Sequence, residues 1–233
     1  MADVYEATER TAVKRLPARG VYDKDVVHRI LDEGLICHLG FIADGQPFVI
    51  PTIYVRIGET IYVHGSPASR MLRALEQGAS ACVTVTHVDG LVLARSAFHH
   101  SMNYRSVVVL GTAARVDDPE QKREVLHALT DHLIRGRWEE IRQPSQQELK
   151  KTLMLAIPIQ EASAKIRTGP PLDEEEDYPL SMWAGVVPLK LTAGEPVADP
   201  RLDANTPVPA YAARYAGPRR AEESGDGTLP PGP

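Results

Sequence analysis

The chain has 233 residues, of which 43% are hydrophobic and 24% charged, with a formal net charge of −5. That balance suits one or two globular domains with an ordinary core. It offers no basic stripe with interleaved aromatics for nucleic acid, no apolar run near the ~20 residues of a membrane helix, and, with two cysteines, no disulfide framework.

Residues 1–20 are polar and charged, carry Arg10, Lys14, Arg15 and Arg19, and read as an arm without the apolar core of a secretion signal. The expected location is therefore the cytoplasm. Asp23 then caps a short helix whose apolar residues Val26, Val27, Ile30 and Leu31 recur at helical spacing, and Gly34 ends it. Leu35–Ile42 reads as a strand, Asp44-Gly45 as a hairpin turn, and Phe48–Val55 as a second strand. A turn at Gly58 leads to a third strand, Thr60–His64. Two consecutive hairpins make this part of the sheet antiparallel.

Residues 66–77 read as a helix with Ser66 as N-cap and Pro67 as its first residue. Strands are expected at Ala81–Val88, Leu91–Arg95 and Arg105–Val116, the first two joined by a turn at Val88-Asp89-Gly90. Val107-Val108-Val109-Leu110 is apolar on both faces, so that strand has one face in a core and the other against a helix, a ligand or another subunit. Asp118-Pro119 opens a helix over 119–134 with the stripe Val125, Leu126, Leu129 and Leu133, and Thr152–Ile159 is a further strand after a short helix near 145–151. Cys37 and Cys82 lie in apolar runs and read as buried reduced thiols. About six strands with turns every 8–12 residues suggest a closed small barrel, mainly β with flanking helices.

The expected organisation is an arm (1–20), a barrel domain (21–168), an extension packing on the barrel (169–193) and a disordered tail (194–233). The tail is rich in Pro, Ala and Gly and has few large apolar groups to bury.

Three segments carry candidate chemistry. His64-Gly65-Ser66-Pro67-Ala68-Ser69-Arg70 follows a strand and opens a helix, where free backbone N–H groups, two hydroxyls and the charges of Arg70 and Arg73 suit a phosphate. An ordinary capped helix has the same pattern. Pro51, inside Phe48–Tyr54, belongs on a strand edge or at a bulge. A free edge offers backbone donors and acceptors to a flat heterocycle, although a bulge without function reads the same way. Polar Ser101–Ser106 precedes the doubly apolar strand and can face a ligand or form a turn. His87, Asp89, His99 and His100 are close in sequence, yet adjacent strand residues point to opposite faces, so no metal site is expected. GxGxxG and GxSxG are absent.

Residues 15–168 resemble the FMN-binding split-barrel proteins of the pyridoxamine 5′-phosphate oxidase superfamily, in particular the nitroimidazole-reductase-type branch. The resemblance rests on Ile30-Leu31-Asp32-Glu33-Gly34, Pro47–Thr52, Tyr62–Ser66 and Tyr104–Gly111. It implies a six-stranded antiparallel split barrel that forms a homodimer with FMN at the interface. Val49, Ile50, Pro51 and Thr52 would lie along the flavin ring. Val63, His64, Gly65, Ser66, Ser69 and Arg70 would hold the ribityl phosphate, and Arg105 and Ser106 would approach the flavin. His64 matches a histidine near the flavin, and Trp183 a tryptophan that covers it. Departures make pyridoxamine phosphate a poor substrate, because Arg70 is followed by Met71, and Thr52 stands where the oxidases have lysine.

The function this implies is an FMN-dependent oxidoreductase passing electrons from a reduced nicotinamide to a small acceptor, with His64 the candidate for tuning the flavin. The alternatives are a non-catalytic flavin-binding module, or the same barrel holding deazaflavin or haem.

Overall fold

The computed structural model describes residues 3–217 of the chain. The expectation of disorder for 194–233 therefore falls partly on 218–233, outside the described residues. Among the described residues, eleven strands form two antiparallel sheets. The larger runs β1 (Gly20–Val21), β10 (Glu161–Arg167), β7 (Ser101–Thr112), β6 (Ser80–Leu93), β2 (Ile36–Ala43) and β3 (Gln46–Ile53), with β11 (Gly185–Pro188) paired to the far half of β6. The smaller is β4 (Val55–Ile57), β5 (Thr60–Gly65), β9 (Leu153–Pro158) and β8 (Ala114–Arg115). The fold is mainly β with flanking helices, as the sequence leads one to expect.

Local rules place most elements. Asp44 and Gly45 both have positive φ, +51° and +73°, which is the backbone of a type I′ hairpin and matches the sheet twist between β2 and β3. The Asp23 carboxylate accepts the Val26 N–H and starts α1 (Lys24–Asp32). Asp118 caps α3 (Pro119–Leu133), with proline at the first helical position as expected. A capping box of Ser145 and Glu148 starts α4 (Gln146–Lys151). Glu148, also held by Arg142, has its carboxyl drawn down to about 2.

Three expectations are corrected. The helix expected at 66–77 is α2 (Arg70–Glu76), and its N-cap is Ser69, whose hydroxyl accepts the Leu72 N–H at 3.4 Å. Pro67 sits in a turn closed by the Ser69 N–H on the Ser66 carbonyl at 2.9 Å. Its fixed φ suits the second position of a turn as well as a first helical residue. The expected hairpin at Val88-Asp89-Gly90 is continuous strand, because β6 runs through it with a bulge that leaves Asp89 unpaired. Gly90 is needed there for close approach, since a Cβ would meet Val186 at 2.9 Å and the Val187 carbonyl at 3.1 Å. Finally, β10 follows β9 almost at once and is a strand the sequence reading misses.

The main core fills the space between the sheets, with Leu39, Val83, Val107, Val109, Ile61 and Leu155 meeting Val27, Ile30 and Leu31 of α1 and Leu72 and Leu75 of α2. A second cluster packs Val125 and Leu129 of α3 on Val55, Val116 and Met154. Cys37 is buried and reduced, its thiol pushed up to about 12 by desolvation. Cys82 is also free, but it is only half-buried because it points out of the sheet. The start of the extension is tied down by Arg167, which donates to the Gly169 and Pro170 carbonyls, and by Asp173, whose covered side chain meets Arg95 at 3.0 Å. Among the described residues, no helix is long and apolar enough to cross a membrane.

Candidate functional site

Two parts of the surface differ in how their polar groups are used. The first is the end of α1. Here Tyr54 donates to the Leu31 carbonyl, His87 Nε2 to Ile30 O at 2.9 Å, and His132 Nε2 to Gly34 O at 2.7 Å. Since a carbonyl only accepts, both histidines must carry their proton on Nε2. Gly34 has no room for a side chain, as a Cβ would stand 2.5 Å from the Tyr54 hydroxyl. Arg105 lies beside this end. Its guanidinium meets Glu33 at 2.6 Å and Asp89 at 2.9 and 3.0 Å. Burial works against its charge, but the bonds to Asp89 and Glu33 outweigh it and hold the pKa above the ordinary arginine value. Ser106 points to the other face and donates to Lys165 O at 3.3 Å.

The second part is the outer face and free edge of β2 and β3. β3 is the last strand of its sheet, so Val49, Ile50, Pro51 and Thr52 lie along an edge with unpaired backbone groups on one side. This is where a proline within a strand can be accommodated. Val49 is 64% exposed. Arg70, at the start of α2, lies over the Phe48 ring, 4.7 Å from its centre, and Phe48 stacks on Phe41. Among the described residues Arg70 makes no ion pair, although Asp44 lines the same groove. Arg70 and Arg73 line a groove of about 460 Å³ that runs along α2 to Gln77 and is bounded by Ile42, Ala43 and Asp44. The edge of β3 and the turn at 66–70 therefore meet, through the contact of Arg70 with Phe48.

The remaining candidates are placed as follows. Val63 is buried in the core, so only its backbone can reach a ligand. His64 is half-buried on the opposite side of β5 and has no hydrogen-bond partner among the described residues; desolvation lowers its pKa. The Ser66 hydroxyl accepts the Ala68 N–H at 3.2 Å, and Gly65 ends β5 beside Leu72. Trp183 is 66% exposed next to β11. Arg105 and Ser106 lie on β7, separated from β3 by β6 and β2. Within one protomer they do not join the Arg70 site. His87, Asp89, His99 and His100 have separate partners: Ile30 O, Arg105, Glu174 and Ser96 O.

Sequence reasoning misses His38. It stands on the outer face of β2, level with Pro51 on one neighbour and Thr84 on the other, and is exposed. The signal is the period of two in Ile36–Ala43, which puts His38 on the same outward face as Ile36 and Ile42.

A family model described as pyridoxamine 5′-phosphate oxidase matches residues 23–166. Two solved structures are similar over most of the chain. The flavocytochrome Anf3 from Azotobacter vinelandii is 42% identical over 89% of this chain and 97% of its own, with a TM-score of 0.84. The FAD and heme binding protein from Mycobacterium smegmatis is 38% identical over 86% and 98%, with a TM-score of 0.82. A protein ascribed to 5-nitroimidazole antibiotic resistance, from Bacteroides thetaiotaomicron, is 21% identical over 63% and 86%, with a TM-score of 0.54, and shares the fold. No curated protein matches the chain.

Proposed function

The chain belongs to the pyridoxamine 5′-phosphate oxidase family, and we propose on that footing that it is a flavin-binding oxidoreductase of the flavocytochrome type, with haem as its second cofactor. The observation that carries the flavin reading is Arg70, a guanidinium without an ion pair among the described residues, laid over Phe48 where the free edge of β3 meets the turn at 66–70. An unpaired arginine at such a place suits a phosphate. The 42% and 38% identical relatives, named for flavin and haem, support the pairing of cofactors.

Ser66, Ser69 and Arg70 would hold the first phosphate, and the backbone of Val49–Thr52 would flank the ring. FMN needs no more than this. The groove continues past Arg70 to Arg73 and Gln77, which favours FAD, whose second phosphate and adenosine need that length. Held there by Ser66, Ser69 and Arg70, a flavin would supply hydride and single-electron transfer chemistry. The chain's share is to bind and orient. His64, kept neutral by desolvation, can donate one hydrogen bond without adding charge. The fit to haem rests on the free imidazoles of His38 and His64, since an iron ligand must be neutral and uncommitted.

Ile36, Ile42, Val49 and Ile53 leave the outer face of β2 and β3 apolar and exposed. A second copy of the chain covering that face would complete a homodimer and bring Ser106 of β7 toward a flavin held by the other protomer. The two free cysteines agree with a reducing cytoplasm.

The test is the absorption spectrum of the purified protein, followed by anaerobic addition of NADH or NADPH. Flavin and Soret bands together, with bleaching of the flavin band and reduction of the haem, are the expected result. A colourless protein that takes up neither cofactor overturns the reading. Flavin that is bound but not reduced by either nucleotide marks a binding module instead of an enzyme.

A further inference from the structure

Arg167 is the one arginine among the described residues that the fold buries, at 6% exposure. Its guanidinium donates to the Asn103 side chain and to the Gly169 and Pro170 carbonyls. All three acceptors are neutral, and among the described residues Arg167 has no ion pair. Burial, and then the opposing charge of Arg19, lower its pKa from the ordinary arginine value. A buried charge whose partners are all neutral carries a cost that an anion would offset.

Two more cations stand beside it. Lys165 precedes it by two residues and shares its face of β10, about 7 Å away at the rise of a strand. Arg19 ends the helical turn Pro17–Arg19 that leads into β1, whose Gly20 is level with Lys165. Both are half-buried, and neither side chain has a hydrogen bond or ion pair among the described residues.

Hydroxyls extend the set. Thr86, Ser106 and Lys165 are level with one another across β6, β7 and β10, at strand spacings of about 5 Å. In the next row Tyr104 is level with Arg167. Neither row contains an acid. Of the acids near them on these strands, Asp89 is taken by Arg105 and Glu161 by Arg10. The face therefore gathers donors and positive charge with no carboxylate to answer them, which is the chemistry of a phosphate site.

We propose that Arg19, Lys165 and Arg167, with the hydroxyls of Thr86 and Ser106, bind the phosphates of the reduced nicotinamide dinucleotide that serves as electron donor. The assignment rests on the flavoenzyme reading above. The second protomer that brings Ser106 toward the other protomer's flavin brings Lys165 with it, one strand further out, on the path of a dinucleotide tail leaving the flavin. A pyrophosphate carries two charges, and the third cation favours the added 2′-phosphate, hence NADPH over NADH.

The experiment is anaerobic reduction of the flavin-loaded full-length protein by rising NADPH or NADH, for the unchanged chain, Lys165→Gln, Arg19→Gln and, as a control for net charge, Lys151→Gln on α4. Each protein is also titrated calorimetrically with adenosine 2′,5′-bisphosphate. The unchanged chain should reach half-maximal reduction at a lower concentration of NADPH than of NADH. Lys165→Gln and Arg19→Gln should each raise the NADPH value by roughly 10-fold or more, the loss of one charge-assisted bond, and weaken the bisphosphate by a similar factor. Lys151→Gln should match the unchanged chain, and equal flavin content in all four verifies folding. Lys165→Gln and Arg19→Gln that match the unchanged chain in both titrations overturn the site, as does a Lys151→Gln that weakens binding as much as they do. An unchanged chain that prefers NADH overturns the assignment of the 2′-phosphate. If neither nucleotide reduces the flavin, the oxidoreductase reading fails on its own account and the assignment to an electron donor falls with it. The bisphosphate then decides the anion site alone, which stands if Lys165→Gln weakens that binding and falls if the unchanged chain does not bind it.

Discussion

At the C-terminal end of α1 the polar groups of Tyr54, His87, His132 and Arg105 are each answered by another, whereas on the outer face of β2 and at the mouth of α2 the imidazole of His38 and the guanidinium of Arg70 have no hydrogen-bond or ion-pair partner among the described residues. The contrast separates two arginines that look alike in sequence. Arg105 has Glu33 and Asp89, and its charge is spent on holding β7, β6 and α1 together. Arg70 has an aromatic ring beneath it and solvent around it. Leaving a charge in such a position offers no gain in stability, while pairing a half-buried one inside the fold avoids the cost of desolvating it alone. The polar groups available to a ligand are those the fold leaves unused.

The largest expected effect comes from the closed side. Arg105→Leu strands two carboxylates around an apolar side chain and should cost about 3 kcal/mol of stability, seen as an earlier unfolding midpoint in urea, while the folded protein keeps its flavin affinity. Lost affinity with an unchanged midpoint would move Arg105 to the ligand side of the comparison. The open side should behave in the opposite way. Arg70→Ala removes one charge-assisted phosphate bond, worth about 1.5–3 kcal/mol, or roughly 10- to 150-fold in flavin affinity. Its melting temperature without flavin should stay close to that of the parent. A flavin titration and a thermal melt on the same sample decide between the two.

Tyr54→Phe is a finer probe of the closed side. It leaves the Leu31 carbonyl without its hydroxyl donor in a buried site and should cost about 1–2 kcal/mol, with flavin titrating as before. The smallest effect is one of pH. Burial, its first cause, lowers the pKa of His28 and of His64 from the ordinary value of 6.5. The unfolded chain therefore takes up these protons first as the pH falls. Stability present at neutral pH is lost progressively below about 6.5 and is not lost above it. Thermal melts across that range should show the acid-side decline, and the double variant His28→Gln, His64→Gln should flatten it.

Much of the frame is legible in the sequence because its signals are local. Asp44-Gly45 needs two positive φ angles, and a type I′ turn supplies them. Asp118-Pro119 starts a helix, since a carboxylate cap and a residue without an N–H both suit its first turn. Pro51 marks an edge or a bulge, since a central strand would lose a ladder bond, and the structure makes it the edge. Where a residue has two local uses, sequence cannot choose between them. Pro67 suits a turn or a helix start, and the hydroxyl of Ser69 settles the matter in favour of the turn. Gly90 reads as a hairpin glycine and is instead the place where β11 presses on β6.

The sequence by itself determined the antiparallel β frame, an edge or bulge at Pro51 and the basic strand-to-helix segment ending at Arg70, because each depends on backbone preferences acting over a few residues. Only the tertiary structure decided which charged and ring-bearing side chains are already taken. Glu33 is 72 residues from Arg105, and Gly34 is 98 from His132, and no pattern along the chain reports contacts at that separation. His38 became a candidate for the same reason: a side chain without a partner can be recognised only once the partners of all the others are in place.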